Sequence, residues 1–273
     1  MKHGCLFDRK KHYPSLVSLA KAHRRGRLII VLGPGLAVHA GSPTLMELVK
    51  SLKIELDLYQ SARGPMADTL DPFFVTQMYQ YKYGRDALVS RIRQAMDPTS
   101  SPTDVHKSIA GLAPSHIFTV GYDGLMEKAL FEAGKPYRVI SRDSEAIDEP
   151  PEYGTTVAKL YGDSASPEGI VVTRKDIFEY HSERGGMVER FMKCLREYEA
   201  LFVGISLRGD YLEWLLQRTL PETGAGGTGR FILVEGRDDH LADYYGIYSL
   251  SPVLLGSWQE VQAFLEELAA MAA

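Results

Sequence analysis

Two glycines one residue apart, Gly33 and Gly35, follow directly on the run Leu28-Ile29-Ile30-Val31-Leu32, and Gly41 precedes Ser42-Pro43-Thr44. Five apolar residues in a row suit a strand buried on both faces. Leu45, Leu48, Val49 and Leu52 then recur at helical spacing, with Ser42 read as the cap and Pro43 in the first turn. Strand, glycine turn and helix N-terminus together make an anion site: bare backbone lets a phosphate approach, and unpaired N–H groups point at it. A Gly-x-Gly pair also serves ordinary strand-to-helix turns, so the motif alone does not separate the two uses. Pro34, between the glycines, lacks a backbone donor and weakens such a site.

Other turns carry groups of the same kind. The strand-like residues 117–120 run into Gly121-Tyr122-Asp123-Gly124, and residues 156–160 end at Tyr161-Gly162-Asp163. Residues 201–203 pass into Gly204-Ile205-Ser206, and residues 231–234 end at Glu235. A carboxylate just past a strand can accept ribose hydroxyls, and it can equally be a solvated loop acid. His39 and His106 are the available imidazoles, for which an exposed or a core histidine is the simpler reading. The glycine-rich loop at residues 224–229 has no strand before it and reads as a linker.

The elements that must hold these groups alternate strand with helix. Such alternation predicts an α/β fold, a Rossmann-like parallel sheet with helices on both faces. Ligands of these sheets sit at the carboxyl ends of the strands, where the glycine-bearing turns should converge. Leu16, Val17 and Leu19 mark a first helix whose basic end, residues 21–27, reads as a solvated helix terminus. Residues 53–105 read as a helical insertion, broken at Gly64-Pro65 and Asp71-Pro72 and packed by Phe73, Phe74, Met78, Tyr79, Tyr81 and Tyr83. Ser257 with Glu260 makes a capping box for a last helix striped with Val261, Phe264, Leu265 and Leu268. Residues 1–273 are read as a single domain carrying that insertion.

Composition narrows the partners. Of 273 residues, 45% are hydrophobic and 24% charged, which is ordinary for a water-soluble globular chain. A net charge of -4 gives no reason to expect nucleic acid. No apolar run reaches bilayer length and the first residues lack a signal-peptide core, so no membrane is expected and a cytoplasmic location is the simplest reading. Cys5 and Cys194 make neither a disulfide framework nor a four-thiolate zinc site.

Four of these motifs, in order, resemble the SIR2-like (sirtuin-fold) family, particularly its short prokaryotic branch of NAD-hydrolysing antiphage effectors. The family's Gly-Ala-Gly-x-Ser-x-x-x-Gly-x-Pro is similar to residues 33–43, and its Thr-x-Asn-Tyr-Asp to Thr119-Val120-Gly121-Tyr122-Asp123. Its Lys-Leu-His-Gly-Asp resembles Lys159-Leu160-Tyr161-Gly162-Asp163, and its Val-Gly-x-Ser matches Val203-Gly204-Ile205-Ser206. Tyr245-Gly246-Ile247 falls where the family has a late Gly-Ile strand. The likeness spans roughly residues 28–270, and four ordered motifs are far more specific than one.

The resemblance implies an NAD or ADP-ribose ligand without zinc, since the cysteines of the deacetylase branch are absent. It places Gly33, Gly35 and Gly41 at the phosphates, Asp123 on the nicotinamide side, and Gly204 and Ser206 near the ribose. It also implies that the family's cleaving asparagine and histidine are replaced by Gly121 and Tyr161, and a serine by Ala37. Glycine orients nothing, and tyrosine, with an ordinary pKa of about 10, is a poor base where histidine at about 6.5 is well placed. The expectation is a catalytically degenerate nucleotide-binding module, a sensor or structural subunit in prokaryotic defence, joined to a protein partner or to copies of itself. An NAD glycohydrolase with relocated catalytic groups, and a scaffold that binds no nucleotide, stay open beside it.

Overall fold

The computed structural model describes residues 7–58, 69–96, 100–146, 154–207, 211–219, 229–236 and 239–272. Helix α1 (Arg9–Arg24) leads into β1 (Leu28–Leu32), then α2 (Gly35–His39) and α3 (Leu45–Glu55). Three helices, α4 (Pro72–Tyr83), α5 (Arg85–Ala95) and α6 (Asp104–Leu112), precede β2 (His116–Thr119). Next come α7 (Leu125–Glu132), β3 (Tyr137–Ile140), α8 (Asp143–Ala146), β4 (Thr155–Lys159), α9 (Arg174–Glu183) and α10 (Gly185–Glu197). The chain closes with β5 (Glu199–Val203), α11 (Tyr211–Thr219), β6 (Arg230–Glu235), α12 (Asp239–Gly246), β7 (Ser251–Leu255) and α13 (Trp258–Ala272).

The strands form one parallel sheet in the order β3-β4-β2-β1-β5-β6-β7. In the middle, Ile30 pairs with Ile117 on one side and Leu201 on the other. β1, β2 and β4 are buried along their whole length, as a sheet covered on both faces requires. Side chains alternate across it. Ile29 and Val31 join the core under α10 and α11, while Leu28, Ile30 and Leu32 join the core under α1, α6, α7 and α13. A third cluster packs α3, α4 and α5 together on Ile170 and Val172. Among the described residues no helix is long and apolar enough to cross a membrane.

The chain leaves β1 to build one half of the sheet and returns at β5 to build the other. The turns after β1 and β5 therefore meet at the point where strand order reverses, the usual ligand crevice of such folds. They meet through backbone alone. Gly33 N–H donates to the Val203 carbonyl at 2.9 Å, and Gly35 N–H to the Gly204 carbonyl at 3.0 Å. A Cβ on Gly33 would lie 2.2 Å from the Gly204 oxygen, and one on Gly204, at φ +68°, 2.5 Å from Leu36 Cδ1.

Two sequence expectations are corrected here. The helix after the glycine turn is capped by Thr44 rather than Ser42: Thr44 Oγ1 accepts from Glu47 N–H at 3.1 Å, and Thr44 N–H donates to Glu47 Oε2 at 2.7 Å. A capping box outcompetes a lone serine because it satisfies two backbone donors at once. Tyr245-Gly246-Ile247 is not strand: Tyr245 and Gly246 end α12, and the last strand is β7, where Ser251-Pro252-Val253-Leu254-Leu255 pairs with β6. Pro252 lacks a ladder donor and so marks the sheet edge that β7 occupies. The loop at 224–228, Gly64-Pro65 and Cys5 lie outside the described residues.

His116 opens β2 inside the sheet, between Phe118 and Tyr198, and burial pushes its pKa down to about 4. An unfolded histidine protonates near 6.5, so between pH 6.5 and 4 the unfolded chain binds more protons and stability falls with falling pH. His116→Phe is expected to remove that dependence, so its stability relative to wild type should be about 2 kcal/mol better at pH 5 than at pH 7 in urea unfolding. Gly33→Ala should lose about 2–3 kcal/mol in the same assay, because backbone must move to admit the methyl. Gly41→Ala, whose added Cβ meets nothing within 4 Å, should lose only about 1 kcal/mol from its positive φ.

Candidate functional site

At the carboxyl edge of β1, β5 and β6 lies a cavity of about 450 Å³. Pro34 and Gly35 form one wall, Gly204, Ile205 and Ser206 the next, and Glu235 the third. His39 from the end of α2, Thr44 from the cap of α3, Tyr245 and Trp258 complete it. Ser206 and Glu235 are both exposed, so their oxygens face solvent on this edge. Four residues expected at a nucleotide site, Gly35, Gly204, Ser206 and Glu235, thus share one cavity.

The other expected residues divide. Gly33 is buried behind the wall and makes the backbone contact that closes it. Gly41 is exposed, ends α2 at φ +94°, and does not line the cavity. The N–H groups of Gly33 and Gly35 are spent on Val203 and Gly204 carbonyls, so the glycines provide close approach rather than free donors. Helix α2 spans only five residues and adds little dipole.

Asp123 lines a second cavity, of about 430 Å³, with Ser42, Glu127, Lys159 and Asp163. Its Oδ1 accepts from Leu125 N–H at 3.0 Å, which starts α7. Lys159, at the end of β4, is fully buried. Its ammonium donates to Glu127 Oε1 at 2.6 Å, Asp163 Oδ1 at 3.0 Å and the Asp123 carbonyl at 2.7 Å. Burial pulls the Lys159 pKa down, but the Glu127 and Asp163 carboxylates outweigh it and hold the ammonium charged. Burial also pushes the Glu127 carboxyl up, against the pull of Lys159. One ammonium thereby pins the turns after β2 and β4 together. The lysine stood inside a quoted motif, but its partner Glu127 carried no sequence signal beyond its place on a helix face.

Gly121 and Tyr161 line neither of these two cavities. Gly121 is buried, its N–H donating to Thr119 Oγ1 at 3.0 Å, and a Cβ there would lie 2.8 Å from Asp123 Oδ2. Tyr161 is in the core, edge-on to Tyr180 with centroids 5.9 Å apart, and its hydroxyl accepts from Leu212 N–H at 3.1 Å. That hydroxyl receives the start of α11. His106 is equally committed: its Nδ1 caps α6 through Thr103, and burial pushes its pKa down to about 4. His39 stays at the first cavity, 3.7 Å from Glu235 Oε2. Trp258, unmarked by any motif, is the wall residue that the sequence did not disclose. Among the described residues no group of histidine, cysteine or acidic side chains could hold a metal ion.

Comparison with known proteins agrees with this topology. A model of the SIR2-like domain matches residues 115–253. The chain is 24% identical over 269 residues to "NAD(+) hydrolase ThsA" of Acinetobacter baumannii (strain 532279), covering 92% of this chain and 54% of that one. It is 22% identical to "Defense-associated sirtuin 2" of Bacillus subtilis, covering 71% of this chain and 19% of that protein. The chain thus spans about half the length of the first relative and less of the second. In structure it is similar to a SIR2 homologue crystallised with NAD, at TM-score 0.54 and 15% identity over 100% of this chain and 96% of the other. A Sir2 homologue mutant in complex with ADP-ribose gives TM-score 0.56 at 14% identity over 97% and 96%. With half of its length matched by the family model, and strand turns meeting where such sheets reverse, the chain belongs to the SIR2-like family.

Proposed function

We propose that this chain is a nucleotide-binding SIR2-like module that takes NAD or ADP-ribose at the carboxyl edge of its sheet and does not cleave it efficiently. The carrying observation is the convergence of Gly35, Gly204, Ser206 and Glu235 on one cavity of about 450 Å³. The residues there fit the adenosine half of a dinucleotide. Glycines without Cβ let backbone approach a pyrophosphate, and exposed Ser206 and Glu235 oxygens suit ribose hydroxyls. The neighbouring cavity beside Asp123 supplies room for the other half. Relatives named as NAD(+) hydrolases and structural neighbours holding NAD and ADP-ribose support the ligand class.

Weak cleavage follows from what occupies the reaction positions. Breaking a nicotinamide–ribose bond needs a group that orients or deprotonates the attacking oxygen, and each such group contributes about 10²–10⁴ in rate. Gly121 has no side chain, and the Tyr161 hydroxyl is buried and already bonded to Leu212 N–H. Neither lines the two cavities. The relatives' hydrolase names favour a second reading, an active NAD glycohydrolase, in which Asp123 is the retained carboxylate at the cavity. The defence setting, a cytoplasmic location and assembly with a protein partner or further copies belong to the proposal as well, the first supported by the name of the Bacillus subtilis relative.

Calorimetric titration should show NAD and ADP-ribose binding to the purified chain, and Glu235→Ala should weaken both about fivefold to tenfold. Incubation with NAD should release nicotinamide at least about 10²-fold more slowly than an intact SIR2-like hydrolase assayed alongside. Turnover at a comparable rate, abolished by Asp123→Asn, would establish the second reading instead. Where the chain binds without turnover, Gly121→Asn with Tyr161→His should raise release, provided Asp123 can turn aside to admit the new Cβ.

A further inference from the structure

The imidazole of His39 lies flat on the indole of Trp258, ring centroids 4.0 Å apart and planes 8° apart. Near-parallel stacking is one of the contacts that aromatic side chains favour, and it is also how a nucleobase sits on an aromatic platform. Both rings line the cavity that holds Gly35, Gly204, Ser206 and Glu235. His39 Nε2 is 3.7 Å from Glu235 Oε2, so the ring is tethered at its edge by the same carboxylate that suits a ribose. The His39 side chain is 36% exposed, held by these two contacts at the rim rather than locked in the core.

Trp258 supplies an independent sign. Its indole N–H is buried and finds no acceptor among the described residues. Buried donors without acceptors are rare and unfavourable, so the surroundings of this indole are incomplete while His39 covers it. The proton lies in the indole plane, so a ligand acceptor that reaches the ring's edge, beside a base on its face, would complete them.

We propose that Trp258 is the stacking platform for the planar base of the bound nucleotide, and that His39 occupies it as a removable plug latched by Glu235. The proposal rests on the nucleotide reading above and deepens it. Displacing His39 frees two groups at once, the indole face for the base and the Glu235 carboxylate for the ribose hydroxyls. Ligands without a planar base cannot displace the plug, so the cavity selects whole nucleotides over sugar phosphates.

Titrating the full chain with ADP-ribose and with ribose 5-phosphate by calorimetry tests this, with tryptophan emission followed in parallel. His39→Ala should tighten ADP-ribose about threefold to tenfold, because the platform is then open. Trp258→Leu should weaken it about tenfold, while Trp258→Phe, which keeps a ring and guards against loss of the fold, should weaken it less. The tryptophan changes should leave ribose 5-phosphate binding as it is, whereas His39→Ala, which also frees Glu235, should tighten it. Wild-type emission should change on adding ADP-ribose and not on adding ribose 5-phosphate. If ADP-ribose binds wild type but His39→Ala weakens it or leaves it unchanged, or Trp258→Leu leaves it unchanged, the plug is wrong and the nucleotide site stands. If neither wild type nor His39→Ala binds ADP-ribose, the nucleotide reading fails and the plug with it.

Discussion

The contact between the turns after β1 and β5 sets the terms for the rest of the molecule. It exists only because Gly33, Gly35 and Gly204 carry no side chains, which lets two stretches of main chain hydrogen-bond across the line where the strand order reverses. Each such bond contributes on the order of 1 kcal/mol, a modest amount. Its larger effect is geometric. It fixes where α2 begins, hence where His39 stands, and it holds Ser206 on the same rim as Glu235. The glycines act here as spacers between two strands' ends, and the donors that a phosphate would have used are turned inward.

A second tie operates on the other half of the sheet. Lys159 projects from the end of a strand that is buried throughout, and its three hydrogens meet three oxygens drawn from α7 and from the turns after β2 and β4. Buried ion pairs seldom add much net stability over apolar packing, since desolvation offsets attraction. What this one provides is position: it holds Asp123 and Asp163 on one cavity and leaves that cavity with excess negative charge.

The sheet was readable because its central strands are uninterrupted apolar runs, such as Leu28 to Leu32, bounded by glycine turns, and a parallel sheet buried on both faces demands such runs. The four ordered motifs located the strand ends for the same reason. Legibility failed where a choice depended on three-dimensional partners. Whether Ser42 or Thr44 caps α3 turns on a glutamate three residues along. Whether the glycine amides face a ligand or a carbonyl turns on how closely β5 approaches. The last strand hid at Ser251 to Leu255 because its edge position tolerates a proline and half-exposed residues, which blurs the apolar signal. Trp258 could not have been foreseen as a wall residue, since it belongs to a helix start more than two hundred positions from the histidine it covers.

Tyr161 carries a consequence for how the domain tolerates change. Its phenol reaches across the core to receive the Leu212 amide at the start of α11, so the side chain is a joint in the masonry of the domain. An imidazole at that position is shorter and would leave the Leu212 amide facing an empty gap. A change at this one position is therefore felt in two places at once, at the strand end that carries the phenol and at the helix whose first turn it receives.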